Sequence, residues 1–592
     1  MVFIHCRRNL LEGGSGVFAP QPREGKPLGH AAPNTFRRLL PIKNPPREPS
    51  PPPPRTSPAT TSSFPFPRRS SLPMAPPSTS APAASHEPPT LPLPYFLPPP
   101  PPPLPSGYCL LPPPPPPPPS GPIILRLHPS FLAYMDSHRS RSLVQFLKDE
   151  GAVPSPEADK KREQVIRKLK KIVMDWAKVV AYEQRVPPRR ATATVLTYGS
   201  YTLGAHGPES DIDALCVGPC IATLQYHFFV VLRQILEDRP EVLELQTVES
   251  AKVPLMRFRF SGISVDFTYA QLPVIDASEA INTSSPHLLR KLDSRSWRSL
   301  SGVRVNEQIV QLVPNAEKFQ FLLRCIKLWA KRRGIHCHLL GFFAGIHLAI
   351  LAAYVCQRYP YFTINGLFTM FFEIFAHWPW QIPVSLHGQQ TNCRRSDGCF
   401  MPIVMPCTPP EFCASNMTRG TFKKIREELM RGYALTKEIW RHDFEWVWLF
   451  APFPYATKYE EFLRIALSAP TSEELRDWAG WVKSRFRNLI LKLESIGVEC
   501  DPDPSEEVDH TVVEPNIVSH WGLIYKTSTH IDTCSLKEDF MKDVINDVYG
   551  KVKCTHSELT MFIVRSSQLP KSMYSHSVYS QYRPQYMLGN QT

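Results

Sequence analysis

The chain has 592 residues, 42% hydrophobic and 11% aromatic, enough apolar material for two to four folded domains, which excludes a wholly unstructured protein. Its net charge is +14, and half of that lies in residues 1–125, which hold eleven Lys/Arg against four Asp/Glu. Such a charge suits an acidic polymer as partner, and fourteen cysteines without one C-x-x-C pair exclude a zinc ribbon or a thioredoxin-like motif.

Residues 1–126 predict a disordered, proline-rich tail. Runs such as Pro98 to Pro103 and Pro112 to Pro119 favour polyproline II, and Ser, Ala and Arg fill much of the rest. The composition fits a ligand for proteins that bind proline motifs (SH3-, WW- or profilin-like), an Arg/Ser-rich transit peptide, a plain unstructured extension, or a start assigned too early, with Met74 the alternative. Globular composition begins at Pro129. Asp159 to Ala181 predicts a basic amphipathic helix, with Val165, Ile166, Leu169, Ile172, Val173 and Trp176 inwards. Its lysines and arginines, Arg162 among them, suit nucleic acid, nuclear import or simply a solvated face.

The next stretch, Val195 to Leu215, carries the chemistry. A short strand breaks at Gly199-Ser200, crosses a glycine-rich loop, and re-enters a strand at Asp211-Ile212-Asp213. Side chains alternate along a strand, so Asp211 and Asp213 share one face while Ile212 points to the core. Two such carboxylates repel unless a cation lies between them, and hard divalent cations share their shell with substrate phosphates. Leu224 to Arg239 predicts a helix. Val253 to Phe267 predicts two strands folded at Ser261-Gly262, carrying Asp266 between Val265 and Phe267 as a third acid. The alternative for Asp-Ile-Asp is a solvated strand end. Arg257 and Arg259 suit an RNA backbone or an exposed strand face. A mixed sheet with helices on one face is the expected architecture.

The pattern Gly-Ser, ten residues, then Asp-apolar-Asp resembles the DNA polymerase β-like nucleotidyltransferases. More narrowly, Gly199-Ser200-Tyr201 through Asp211-Ile212-Asp213 to Pro219 is similar to the eukaryotic poly(A) polymerases, plant ones especially. Ile326 to Ile335, Met401 to Pro406, Arg431 to Thr436 and Trp521 to Tyr525 resemble later parts of that family, in order. The resemblance implies an α+β chain. It has a nucleotidyltransferase catalytic domain (127–290), a mostly helical middle domain (291–455), a ferredoxin-like RNA-binding domain (456–567) and a disordered tail (568–592). It implies AMP transfer from ATP to an RNA 3′ end by two Mg²⁺ or Mn²⁺ ions on Asp211, Asp213 and Asp266. Tyr198, Gly199, Ser200, Gly207, Lys327, His336, Gly345 and Ile346 would hold the nucleotide, and Lys252 and Arg257 the RNA. It also implies a monomer working with cleavage and polyadenylation proteins in the nucleus. Only Arg565, Lys571 and Arg583 are basic after residue 554, too few for the family's C-terminal bipartite signal, so a cytoplasmic pool is expected as well.

The family pattern has Phe at Tyr198, Asn at Ser301, Tyr at His336, Gly at Ala344 and Ser at His347. These changes keep open a relaxed or UTP-preferring transferase, and a catalytically weak RNA-binding paralogue. Leu339 to Cys356 is apolar for 18 residues, which suits a buried helix or a minimal membrane span. His336-Cys337-His338 and Cys393 with Cys399 are the nearest approaches to a metal cluster. Thr471-Ser472-Glu473-Glu474 is a capping box, predicting one helix to Gly497.

Overall fold

The computed structural model describes residues 128–249, 251–278, 281–388, 399–526, 531–546 and 556–575. The expected proline-rich tail, Cys393 and the last seventeen residues lie outside these.

Helix α1 (Pro129–Asp149) packs against the middle helices. Leu143 and Leu147 are buried among the middle helices, Phe146 stacks on Phe450 at 5.0 Å, and Arg139 donates to the Phe444 carbonyl at 3.1 Å. Helix α2 (Pro156–Glu183) is the predicted basic helix. Ser155 caps it, accepting from the Ala158 N–H at 3.2 Å, and Val165, Leu169, Val173 and Trp176 are buried. Most of its lysines face out, but Arg162 turns inwards and is 3% exposed.

The catalytic sheet has five strands: β1 (Thr194–Tyr198), β2 (Ile212–Gly218), β3 (Val242–Val248), β4 (Leu255–Phe260) and β5 (Ile263–Gln271). Their order is β1-β2-β5-β4-β3, parallel only between β2 and β5. Between β1 and β2 runs the short helix α3 (Gly199–Thr202), where the sequence suggested open loop. The β4–β5 turn falls at Ser261-Gly262 as expected, both with positive φ (50° and 83°). One face, with Ile212, Ala214, Val265 and Phe267, packs on α2 and on a π-helical stretch, Leu224–Leu232, that runs into α4 (Arg233–Glu237). Helices were expected on that face alone, but the other is half covered too. Leu300 and Val303 of α6 (Ser294–Leu312), which follows the short α5 (Pro286–Leu289), pack on Leu215, Val217 and Ala270. Strands β2 and β5 are apolar on both faces at that end, so both need cover. The acids lie on the half left open.

The middle unit holds α7 (Ala316–Arg332), α8 (Gly345–Arg358), α9 (Ile364–Ala376), α10 (Arg419–Lys437), α11 (Trp446–Phe450) and α12 (Tyr455–Lys458). A two-residue hairpin, β6 (Val404–Met405) and β7 (Glu411–Phe412), lies beside them. The apolar run at 339–356 is broken by a left-handed Gly341, and α8 begins only at Gly345. Fourteen residues span about 21 Å, short of a bilayer core. Among the described residues no helix is long and apolar enough to cross a membrane.

The last unit runs β8 (Glu461–Ser468), α13 (Ser472–Lys483), α14 (Phe486–Ser495), β9 (Val498–Pro502), β10 (Asn516–Tyr525), α15 (Thr533–Val544) and β11 (Glu558–Arg565). Its sheet order, β11-β8-β10-β9 and wholly antiparallel, is ferredoxin-like. Thr471 caps α13 as predicted, accepting from the Glu474 N–H at 3.1 Å. The single helix expected to Gly497 is two. Ser484 Oγ and Arg485 Nη1 both bond the Trp481 carbonyl, and the Arg485 N–H shifts to Val482, which tightens and ends the first helix. The chain stays packed past 568, where a tail was expected: Leu569 is buried, and a short helix α16 (Lys571–Ser575) sets Met573 against the cluster of Phe453, Tyr455 and Tyr459.

Candidate active site

The strand pairing assembles the acids. Asp213 on β2 is in register with Asp266 on β5, and Asp211 stands just before β2 on the same face. The open end of that face is the floor of a cleft of about 2290 Å³, which draws its walls from all three units. Burial first, then Asp211 and Asp266, push the Asp213 carboxyl well above its usual range. Burial, then Asp266, raises Asp211, against Arg257 and Lys327. The fold thus gathers anionic groups at a cost that a cation would relieve.

At present that cation is partly Arg257. Its Nε and Nη2 donate to the two oxygens of Asp266 at 2.7 and 2.8 Å. Of the two RNA candidates, Arg257 is therefore an ion-pair partner of the third acid, half-buried, while Lys252 is exposed and lines the cleft. With Asp266 forked to Arg257, no three His, Cys, Asp or Glu side chains among the described residues stand close enough to share a metal ion. The donor set still fits a divalent cation: its ligands are hard oxygens, mutually repelling and poorly solvated. Asp211 and Asp213 would hold it first, and Asp266 would join as Arg257 yields.

Gly199 turns the chain at φ +68°, and a Cβ there would lie 1.8 Å from Asp213 Oδ2. The Gly199-Ser200 turn therefore lies directly on the acid. Asn306 of α6 holds it, donating from Nδ2 to the Gly199 carbonyl at 3.0 Å. Asn306 escaped sequence reading; the buried face of α6 also holds Ser296, Ser299 and Arg304, so one more polar residue there gives no signal. The role of Arg162 is the second thing the sequence did not show. Its guanidinium donates to the carbonyls of Ser210 (2.6 Å), Pro208 (2.5 Å) and Gly207 (3.3 Å), fixing the loop that leads into Asp211. Gly207 lines the cleft, and its N–H donates to Ser210 Oγ at 2.9 Å.

Lys327 and Lys331, one turn apart on α7, line the cleft opposite. Lys327 Nζ donates to the Ala205 carbonyl at 2.9 Å. Burial, and then Lys331, lower its ammonium to about 7. His336 is buried beside them, and burial, then Lys331 and Lys327, hold it down to about 3, so the ring is neutral. Gly345 and Ile346 open α8 at the cleft wall. His347 fixes that start: its Nδ1 accepts from the Ala344 N–H at 3.1 Å and its Nε2 donates to the Ala414 carbonyl at 3.1 Å. Tyr198 is a support more than a wall. Its ring is packed on Gly302, where a Cβ would come within 2.9 Å of it, and its hydroxyl is 3.4 Å from Thr268. The Ser301 hydroxyl donates to the Arg298 carbonyl of its own helix at 2.7 Å. His338 Nε2 bonds the same Ala414 carbonyl at 3.2 Å.

Three family profiles match the chain in order. They are the poly(A) polymerase nucleotidyltransferase domain over residues 133–313, the poly(A) polymerase central domain over 318–452, and the poly(A) polymerase predicted RNA-binding domain over 454–499. Nuclear poly(A) polymerase 3 of Arabidopsis thaliana is 47% identical over 440 residues, 74% of this chain and 86% of that one. Nuclear poly(A) polymerase 1 of the same plant is 37% identical, over 63% of this chain and 55% of that one. The poly(A) polymerase of Dictyostelium discoideum is 38% identical, over 58% of this chain and 44% of that one. The chain thus spans most of the first of these and about half of the other two. With the three profiles matching in order and 47% identity over most of one relative, the chain belongs to the poly(A) polymerase family.

Proposed function

We propose that the chain is a template-independent poly(A) polymerase that transfers AMP from ATP to an RNA 3′ end. The observation that carries this reading is Asp211 and Asp213 on the floor of a cleft shared with the RNA-binding unit, with Asp266 in register with Asp213 and buried behind Arg257. The RNA 3′-hydroxyl attacks the α-phosphorus; a new P–O bond forms as the bond to pyrophosphate breaks. Mg²⁺ or Mn²⁺, when bound, would lower the hydroxyl pKa and neutralise the leaving phosphates. The chain's own part is position and charge. Asp211 and Asp213 supply oxygen ligands from one strand, and Asp266 supplies the third from its neighbour. The Gly199-Ser200 turn brings backbone to the phosphates, and Lys327 meets their charge. His336, being neutral, offers the nucleotide one donor and one acceptor and no charge. No protein nucleophile takes part. The names of the Arabidopsis relatives support a nuclear site of action.

Primer extension with the full chain, a labelled oligo(A), either metal and each NTP alone tests the reading. A ladder with ATP alone, lost in Asp211→Ala/Asp213→Ala, is the expected result. A ladder with UTP would replace AMP by UMP transfer; no ladder from folded, RNA-binding protein would overturn the enzyme reading.

A further inference from the structure

The cleft wall contributed by α13 and α14 carries a feature that the catalytic reading leaves unused. Where these helices break, the Arg485 guanidinium lies over the Trp481 ring, 3.3 Å from its centroid. Arg485 Nη1 donates to the Trp481 carbonyl at 3.1 Å and to Ser484 Oγ at 2.6 Å. The Trp481 indole N–H donates to the Val544 carbonyl at 2.9 Å. A planar cation is thus fixed on a ring that is itself fixed, and both residues line the cleft. Asp477 of α13 and Asp543 of α15 also line the cleft, so this side is not the uniformly positive surface that tracks a phosphate backbone. What it offers is a flat, weakly hydrated face, and nucleobases stack on such guanidinium planes.

We infer that Arg485, backed by Trp481, is a stacking platform for a base of the RNA strand leading to the acids. This rests on RNA being the substrate, as proposed above. The test uses the full chain with Arg485→Ala and Arg485→Lys, both checked by thermal melting. RNA affinity is read by fluorescence anisotropy of a labelled oligo(A) over a salt series, and KM is measured for primer and for ATP. Losing one stacked base weakens oligo(A) binding by about tenfold. Arg485→Lys keeps the charge and loses the plane, so it should bind nearly as weakly as Arg485→Ala, with the wild-type salt slope. In both variants KM for the primer rises and KM for ATP does not. Wild-type affinity in Arg485→Ala, wild-type affinity in Arg485→Lys, or a rise confined to KM for ATP would each overturn the platform. If the wild-type chain adds no nucleotide at all, the polymerase reading fails, and anisotropy still decides the platform.

Discussion

Gly199 and Asp213 occupy one small space, so the turn and the acid constrain each other. A methyl group at Gly199 would overlap Asp213 Oδ2, and alanine at φ +68° adds strain of about 1 kcal/mol. The yielding partner would be the carboxylate, a flexible end whose displacement costs chemistry more than folding. Gly199→Ala should therefore lower kcat by roughly 100-fold or more while the melting temperature moves by a few degrees. Activity within threefold of wild type would show that the turn does not position the acid. Lys327 gives a second residue-level prediction. Its ammonium is lowered to about 7 by burial and by Lys331, and a bound triphosphate favours the charged form. At pH 8 the free protein holds it mostly neutral, so ATP binding should take up close to one proton. Titration calorimetry in buffers of different ionisation enthalpy reads that number. Lys327→Met should abolish the uptake, and equal values in the two proteins would refute the assignment.

The loop from Gly204 to Asp211 has little apolar content to hold it, and Arg162 of α2 does so through three backbone carbonyls. Arg162→Met keeps the buried stem and strands those acceptors, costing roughly 2 kcal/mol or more. Hydrogen exchange across 204–211 should quicken while α2 and β2 keep their protection, and KM for ATP should rise about tenfold. Unchanged exchange in the loop would reduce Arg162 to a buried charge. This element also shows where sequence reading ends. The strands around the acids were legible because alternation and the Gly-Ser break are local patterns. Arg162 was not, because its partners are 45 to 48 residues away and leave no periodicity. The break between α13 and α14 was hidden for a related reason: the apolar spacing runs straight through it, and the cause is two side chains bonding one carbonyl. The packing of helix α1 is set by Leu143, Phe146 and Leu147 meeting the middle helices, which chain order does not reveal.

The middle helices and the RNA-binding unit share one continuous apolar core, from Leu143 to Met561, while the catalytic sheet has cores of its own on its two faces. Two buried ion pairs involve α10, one inside the middle unit and one across that joint. Glu428 accepts both arms of Arg333 at 2.7 and 2.9 Å, and Lys424 donates to Asp501 on β9 at 2.6 Å beneath the Phe453 ring. A buried pair contributes little relative to a well-packed apolar pair, but removing one partner strands a charge. Lys424→Met should therefore destabilise by about 3–5 kcal/mol, and Lys424→Met/Asp501→Leu should recover more than half of that loss. Because the core is shared, the middle and RNA-binding units should unfold together in urea, giving one transition by tryptophan fluorescence and by limited proteolysis. The single variant should move the midpoint of that transition without splitting it. A separate, earlier loss of the RNA-binding unit in the wild-type chain would mean that the joint is a hinge; a double variant no more stable than the single one would mean that Asp501 acts through Tyr459, whose hydroxyl also donates to it, rather than through Lys424.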